Sequence, residues 1–151
     1  MSKAPLWTID AMAQAMSAGR SGVLPDSISG ISIDSRSIGR GEAFFAIQGD
    51  ARDGPDFVPA ALANGAGLAV VSTGKRDTFP KEAPLLVVPD VLEGLRHLAR
   101  AARARAQAKV IGVTGSVGKT GTKDALRLAL AASGETHASV ASYNNHWGVP
   151  L

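Results

Sequence analysis

The stretch that most restricts the fold is Val110-Ile111-Gly112-Val113-Thr114-Gly115-Ser116-Val117-Gly118-Lys119-Thr120-Gly121-Thr122. A short β-branched run enters a glycine-rich turn, and an Ala/Leu-rich helical pattern leaves it. Strand, tight turn and helix in that order build a phosphate cradle. The first amides of a helix lack intrahelical partners, and the helix dipole adds partial positive charge there. Gly115, Gly118 and Gly121 let the backbone approach phosphate oxygens with no Cβ between. Lys119 can neutralise β/γ-phosphate charge, and the Thr120 hydroxyl can sit on Mg²⁺. The longer pattern G-x-x-x-x-G-K-[ST] is incomplete, because Val113 stands where its first glycine would. A plain turn between strand and helix explains the glycines but not the Lys-Thr pair.

With 151 residues, 45% of them hydrophobic, the chain can bury a core in one domain or two small ones. Sixteen basic and thirteen acidic residues leave a charge of +3, too mild to argue for nucleic acid. Cysteine is absent, which removes disulfides and thiolate metal sites and fits a cytoplasmic protein. No apolar run reaches membrane-spanning length, and the N-terminus has no signal-like apolar core.

Thr8 is placed to cap a helix to about Ala18, with Ile9, Met12, Ala13 and Met16 on one face. Gly22 to Gly30 is turn-rich. Ile31 to Ser35 alternates like a half-buried strand, and Ala43 to Ile47 reads as a fully buried one. Gly49 to Pro55 is loop, after which Asp56 is expected to cap a helix over Phe57–Asn64, with Gly65 beyond its end. Leu68 to Ser72 and Leu85 to Val88 are further strands, joined by a polar connection over Thr73–Ala83. From Asp90 a long helix has Val91, Leu95, Leu98 and Ala102 on its apolar face. A helix from Gly118 to Ala132 is expected to turn Ala125, Leu128, Ala129 and Ala132 inward, before a strand over Thr136–Val140.

Alternating short strands and helices define an α/β protein. The expected division is a small N-terminal α/β domain, residues 1–88, and the start of a parallel-sheet nucleotide domain, residues 89–151. One strand, turn, helix and strand do not complete such a sheet, nor supply a later acidic Mg²⁺ ligand. The 151 residues alone are therefore expected to be an inactive N-terminal portion of an enzyme.

Other groups admit two readings. Asp34-Ser35-Arg36 ends a strand, where Arg suits a diphosphate and Asp equally suits local amides. Asp50, Arg52, Asp53 and Asp56 crowd one loop, as acid–base or metal groups would, or as a solvated surface would. His146, beside Asn144, Asn145 and Trp147, is the histidine richest in polar neighbours.

With these residues in view, the chain resembles the ATP-dependent Mur ligases of peptidoglycan synthesis. Asp34-Ser35-Arg36, Gly41 to Gly49 and Asp53-Gly54 are similar to the family's N-terminal UDP-binding domain. Thr114 to Thr120 is similar to its phosphate loop, which also lacks the first glycine. Asn144-Asn145-x-x-Gly148-Val149-Pro150-Leu151 is similar to the block that follows in the D-alanyl-D-alanine-adding branch. Pro55 departs from the family, which often has His there.

The resemblance implies that ATP phosphorylates the terminal carboxylate of a UDP-N-acetylmuramoyl-tripeptide. The amine of D-alanyl-D-alanine then attacks the acyl phosphate. By the same resemblance, Gly115, Ser116, Val117, Gly118, Lys119, Thr120 and Gly121 hold ATP, with Lys119 catalytic and Thr120 on Mg²⁺. Ser35, Arg36, Asp50, Ala51 and Arg52 hold UDP, and Asn144 and Asn145 line the junction with the acyl substrate. A cytoplasmic monomer without a membrane span or nucleic-acid partner is expected. The family's later glutamate, histidine, carbamylated lysine and C-terminal domain have no counterpart in this sequence. Two alternatives stay open: a UDP-sugar-binding module with a vestigial phosphate loop, and another acid:amine ligase.

Overall fold

The computed structural model describes residues 5–49, 53–139 and 148–151. The chain forms two compact units. One runs to Arg105 and takes in Pro150–Leu151; the other is Ala106–Val149.

The first unit is built on apolar runs that alternate between two faces. Strands β1 (Trp7–Thr8), β2 (Gly19–Ser21), β3 (Ser27–Ile28), β4 (Ile31–Ser32), β5 (Ala43–Phe45), β6 (Leu68–Ser72) and β7 (Leu85–Val88) are joined by helices α1 (Ile9–Met16), α2 (Val58–Ala63) and α3 (Val91–Arg105). Five strands make a sheet in the order β2-β7-β6-β5-β4, and β1 pairs separately with β3. From β4 to β7 the neighbours are parallel, while β2 runs antiparallel to β7.

Successive strand residues point to opposite faces. Phe45, Leu68, Val70, Leu86 and Val88 accordingly pack with Met12, Met16, Leu95 and Leu98. Phe44, Ala69, Val71 and Leu85 pack with Val58 and Ala61. Both faces are covered by helices, which is why these strands read as continuous apolar runs.

Thr8 caps α1 as expected: its Oγ1 accepts from the Ala11 amide at 3.3 Å, and the four apolar face residues are buried. Gly65 follows α2 with a φ of 104°, the left-handed turn that glycine makes without strain.

Several local expectations are corrected. Asp56 is not a helix cap; it lies inside a 3₁₀ turn, Gly54–Phe57, and α2 begins at Val58. The strand expected over Ile31–Ser35 stops at Ser32, because the Ser32 hydroxyl and Asp34 carboxylate capture the following amides. The turn-rich Gly22–Gly30 segment contains β3, and β1 and β2 are additional short pairings.

α3 packs on α1 and its apolar face is buried in the first unit, which as a compact body extends to Arg105. The Asp90 carboxylate caps α3 through the Glu93 amide at 2.8 Å. At its other end the Arg105 guanidinium lies 3.6 Å over the Trp7 ring and donates to the Leu6 carbonyl at 2.9 Å.

The second unit holds α4 (Lys119–Ala131). Val110 to Val113 form no strand and Thr136 to Ser139 form none; Val140 lies outside the described residues. A strand exists only through a partner's ladder. No helical residue of α4 is fully buried, and the inward face expected of Ala125, Leu128, Ala129 and Ala132 is exposed, Leu128 by 67%. Among the described residues no helix is long and apolar enough to cross a membrane.

Candidate functional site

In a parallel α/β sheet, ligands bind outside the carboxyl ends of the strands, where the connecting loops gather. Here Asp34-Ser35-Arg36 follows β4, the bridged pair Gln48 and Asp53 follows β5, and the 3₁₀ turn Thr73–Thr78 follows β6.

The Asp-Ser-Arg turn is stitched by its own polar atoms. The Arg36 amide donates to Asp34 Oδ1 at 3.0 Å. Its guanidinium makes a bidentate pair with the same carboxylate, Nε to Oδ1 at 2.9 Å and Nη2 to Oδ2 at 2.6 Å. These bonds to Arg36 hold the Asp34 carboxyl at about 2, down from 3.8. Arg36 is exposed, and Ser35 is the buried polar residue between the pair. Both local satisfaction and an exposed cation are therefore present.

The loop after β5 is tied at its root. Gln48 and Asp53 form an isolated antiparallel bridge, and the Asp56 amide donates to the Asp53 carbonyl at 3.0 Å. Gly54 fits where no other residue does: a Cβ would lie 2.3 Å from the Ile47 carbonyl oxygen. Asp50, Ala51 and Arg52 lie outside the described residues, as do Asn144, Asn145, His146 and Trp147. Asp53 meets the turn after β6, accepting from Lys75 Nζ at 2.7 Å. The bond to Asp53 and its charge, aided by Asp56, raise Lys75 above its ordinary value of 10.5.

Two side chains that no sequence motif marks make contacts in this region: Lys75, from the polar connection after β6, and Asn64, from the end of α2. Asn64 Nδ2 donates to the Ser35 carbonyl at 2.9 Å. An asparagine before a turn glycine hints at a helix end, but nothing local reveals its partner 29 residues away.

In the second unit Gly118 is the N-cap of α4, with a φ of 82°, and Gly115 also has positive φ. The first α4 bond runs from the Thr122 amide to the Gly118 carbonyl at 2.9 Å. The amides before it, at Lys119, Thr120 and Gly121, have no helical partner. Lys119 Nζ donates to the Gly115 carbonyl at 2.5 Å, folded over the turn. Ser116, Val117, Thr120 and Gly121 are exposed, and a Cβ at Gly112, Gly118 or Gly121 would meet nothing within 4 Å. The donor set and the open space suit a phosphate chain with its magnesium. Among the described residues no group of three acidic or histidine side chains gathers for a metal.

A mostly parallel sheet covered on both faces, with charged side chains at its carboxyl edge and a glycine-rich helix start later in the sequence, defines an α/β protein. The description "Mur ligase family, catalytic domain" matches residues 27–105. The chain belongs to the Mur ligase family. The matched span ends before the glycine-rich turn.

A UDP-N-acetylmuramoyl-tripeptide–D-alanyl-D-alanine ligase from Synechocystis sp. is 40% identical over 123 residues, covering 82% of this chain and 27% of that protein. The solved structure of the UDP-N-acetylmuramoylalanyl-D-glutamyl-2,6-diaminopimelate–D-alanyl-D-alanyl ligase from Acinetobacter baumannii is 35% identical. It superposes with a TM-score of 0.84 over 99% of this chain and 34% of its own. MurF ligase from Thermotoga maritima, solved in complex with ADP, is 31% identical with a TM-score of 0.67 over 80% of this chain and 27% of its own. The chain spans about 27% of the length of the curated relatives it matches.

Proposed function

We propose that this chain carries the sugar-nucleotide site and phosphate loop of a cytoplasmic ATP-dependent ligase. That ligase joins D-alanyl-D-alanine to a UDP-N-acetylmuramoyl-tripeptide in peptidoglycan precursor synthesis. The observation that carries the reading is the pairing, in one chain, of a Mur ligase-matched unit with an open glycine-rich helix start bearing Lys119. The names of the relatives support the substrate pair, and the ADP complex of one of them supports the nucleotide.

Residues 1–88 are proposed for the sugar nucleotide and 89–151 for ATP. Ser35 and Arg36, with Asp50, Ala51 and Arg52, would hold UDP. Arg36 leaves its Asp34 pair or shares it to meet the diphosphate. Gly115, Ser116, Val117, Gly118, Thr120 and Gly121 would wrap the triphosphate with their amides. Lys119 would move its ammonium from the Gly115 carbonyl to the terminal phosphates, and the Thr120 hydroxyl would ligate magnesium. Bound ATP supplies the phosphoryl group that makes a carboxylate a competent acyl donor. The contribution of Lys119 and the loop amides is charge stabilisation in place, with no covalent role. Asn144 and Asn145 are proposed at the junction with the acyl substrate.

Calorimetric titration of UDP and of ATP–Mg²⁺ tests the reading. The ligase reading expects uptake of both. UDP alone identifies a stand-alone sugar-nucleotide module with a vestigial loop, and ATP alone a general nucleotidase.

A further inference from the structure

We infer that Lys75 is a positioning residue for the sugar-nucleotide site, acting through Asp53 on the root of the loop after β5. The inference rests on the UDP reading above and names a residue outside the motifs that suggested it.

The turn that delivers Lys75 is stiff. Thr78 Oγ1 donates to the Lys75 carbonyl at 2.6 Å, and Arg76 donates to the Phe79 carbonyl at 3.1 Å. From this turn the ammonium reaches back 22 residues to Asp53, with both partners partly withdrawn from water. Asp53 is a poor place for an unpaired charge. Its Oδ1 is buried and has no hydrogen-bond partner among the described residues, so the bond from Lys75 to Oδ2 compensates the carboxylate.

Asp53 has little freedom to relocate. Its backbone is bridged to Gln48, its carbonyl is held by the Asp56 amide, and the next residue is the glycine that only a bare Cα allows. Removing the ammonium leaves a half-buried anion whose one escape is to turn toward water. Asp53 is the residue bridged to Gln48, so a carboxylate turning outward loads that bridge at the carboxyl edge. The same pair ties the loop after β5 to the turn after β6, so the spacing of two site loops depends on it.

The test is UDP titrated by calorimetry into the 151-residue chain and four variants: Lys75→Met, Lys75→Arg, Asp53→Asn and the Lys75→Met/Asp53→Asn double. Far-UV circular dichroism and thermal midpoints accompany each. Lys75→Met keeps the apolar stem and is expected to weaken UDP binding about tenfold, a coupling ordinary for partners in contact. Lys75→Arg restores the charge and is expected to bind within about threefold of the parent. Asp53→Asn weakens binding similarly, and the double variant is no weaker than either single one.

Wild-type affinity in a folded Lys75→Met overturns the inference while leaving the UDP reading intact. So does a Lys75→Met loss that persists undiminished in the Asp53→Asn background, since the ammonium would then touch the nucleotide directly. A lowered thermal midpoint with unchanged UDP affinity also overturns it. A parent chain that takes up no UDP overturns the reading and the inference together.

Discussion

Asn64 Nδ2 donates to the main-chain carbonyl of Ser35 at 2.9 Å, fastening the end of α2 to the turn that carries Arg36. Asn64→Asp keeps the shape but replaces the donor with an anion facing a carbonyl oxygen. A loss of about 1–3 kcal/mol of stability is expected, the range for a partly buried acceptor left unsatisfied. Urea denaturation measures it, and an unchanged midpoint would show the bond contributes nothing.

Gly54→Ala places a Cβ 2.3 Å from the Ile47 carbonyl oxygen and 2.6 Å from the Ala46 carbonyl carbon, both backbone atoms that cannot swing aside. Overpacking of this kind destabilises by about 1–3 kcal/mol or more. Gly74→Ala is the control, since nothing lies within 4 Å of its Cβ. Thermal melts of the two variants should separate by several degrees, with the Gly74 variant near the parent.

The Asp34 carboxyl titrates at about 2 in the folded chain, below its ordinary 3.8. A folded value below the unfolded one means the carboxylate contributes stability above 3.8, and that contribution fades as pH falls through about 2. Carbon-detected NMR titration should find the low midpoint. In Arg36→Ala it should return toward 3.8, because the Arg36 bonds are the leading cause.

Leu98 is buried among the residues that join α3 to α1 and the sheet. Leu98→Ala should destabilise the first unit by about 2–5 kcal/mol, as truncation of a packed leucine does. Chemical denaturation followed at Trp7, which lies in the same core, reads this out. An indifferent protein would mean α3 is not integral to that unit.

Lys119→Ala removes the ammonium that lies over the glycine-rich turn and donates to the Gly115 carbonyl. In a complete ligase carrying this sequence the rate should fall about 10²–10³-fold, the usual effect of losing one charge-stabilising donor. Phosphate release under saturating substrates measures it. An unaltered rate would remove Lys119 from the chemistry.

What could be read from the residues alone follows from where each signal is stored. β5, β6 and β7 are buried on two faces, so their apolar runs announce themselves; α1 and α3 carry their periodicity and caps locally. β1, β2 and β3 are two or three residues long and rely on backbone pairing with distant segments, which composition does not encode. Val110 to Val113 have strand-like residues but no ladder, so residue type alone misled there. The site divides the same way. Asp34-Ser35-Arg36 and Lys119 sit inside recognisable patterns, whereas Lys75 and Asn64 act only through partners 22 and 29 residues away.

The main sheet ends on β2, three residues long, and on β4, two residues long. Margins this short give a visiting strand almost no rungs to zip onto, and the β2 side carries Arg20, charged and paired with Asp10. The two margins of this sheet therefore offer a second copy little to add a strand to, even though the interior strands are among the most apolar segments of the unit.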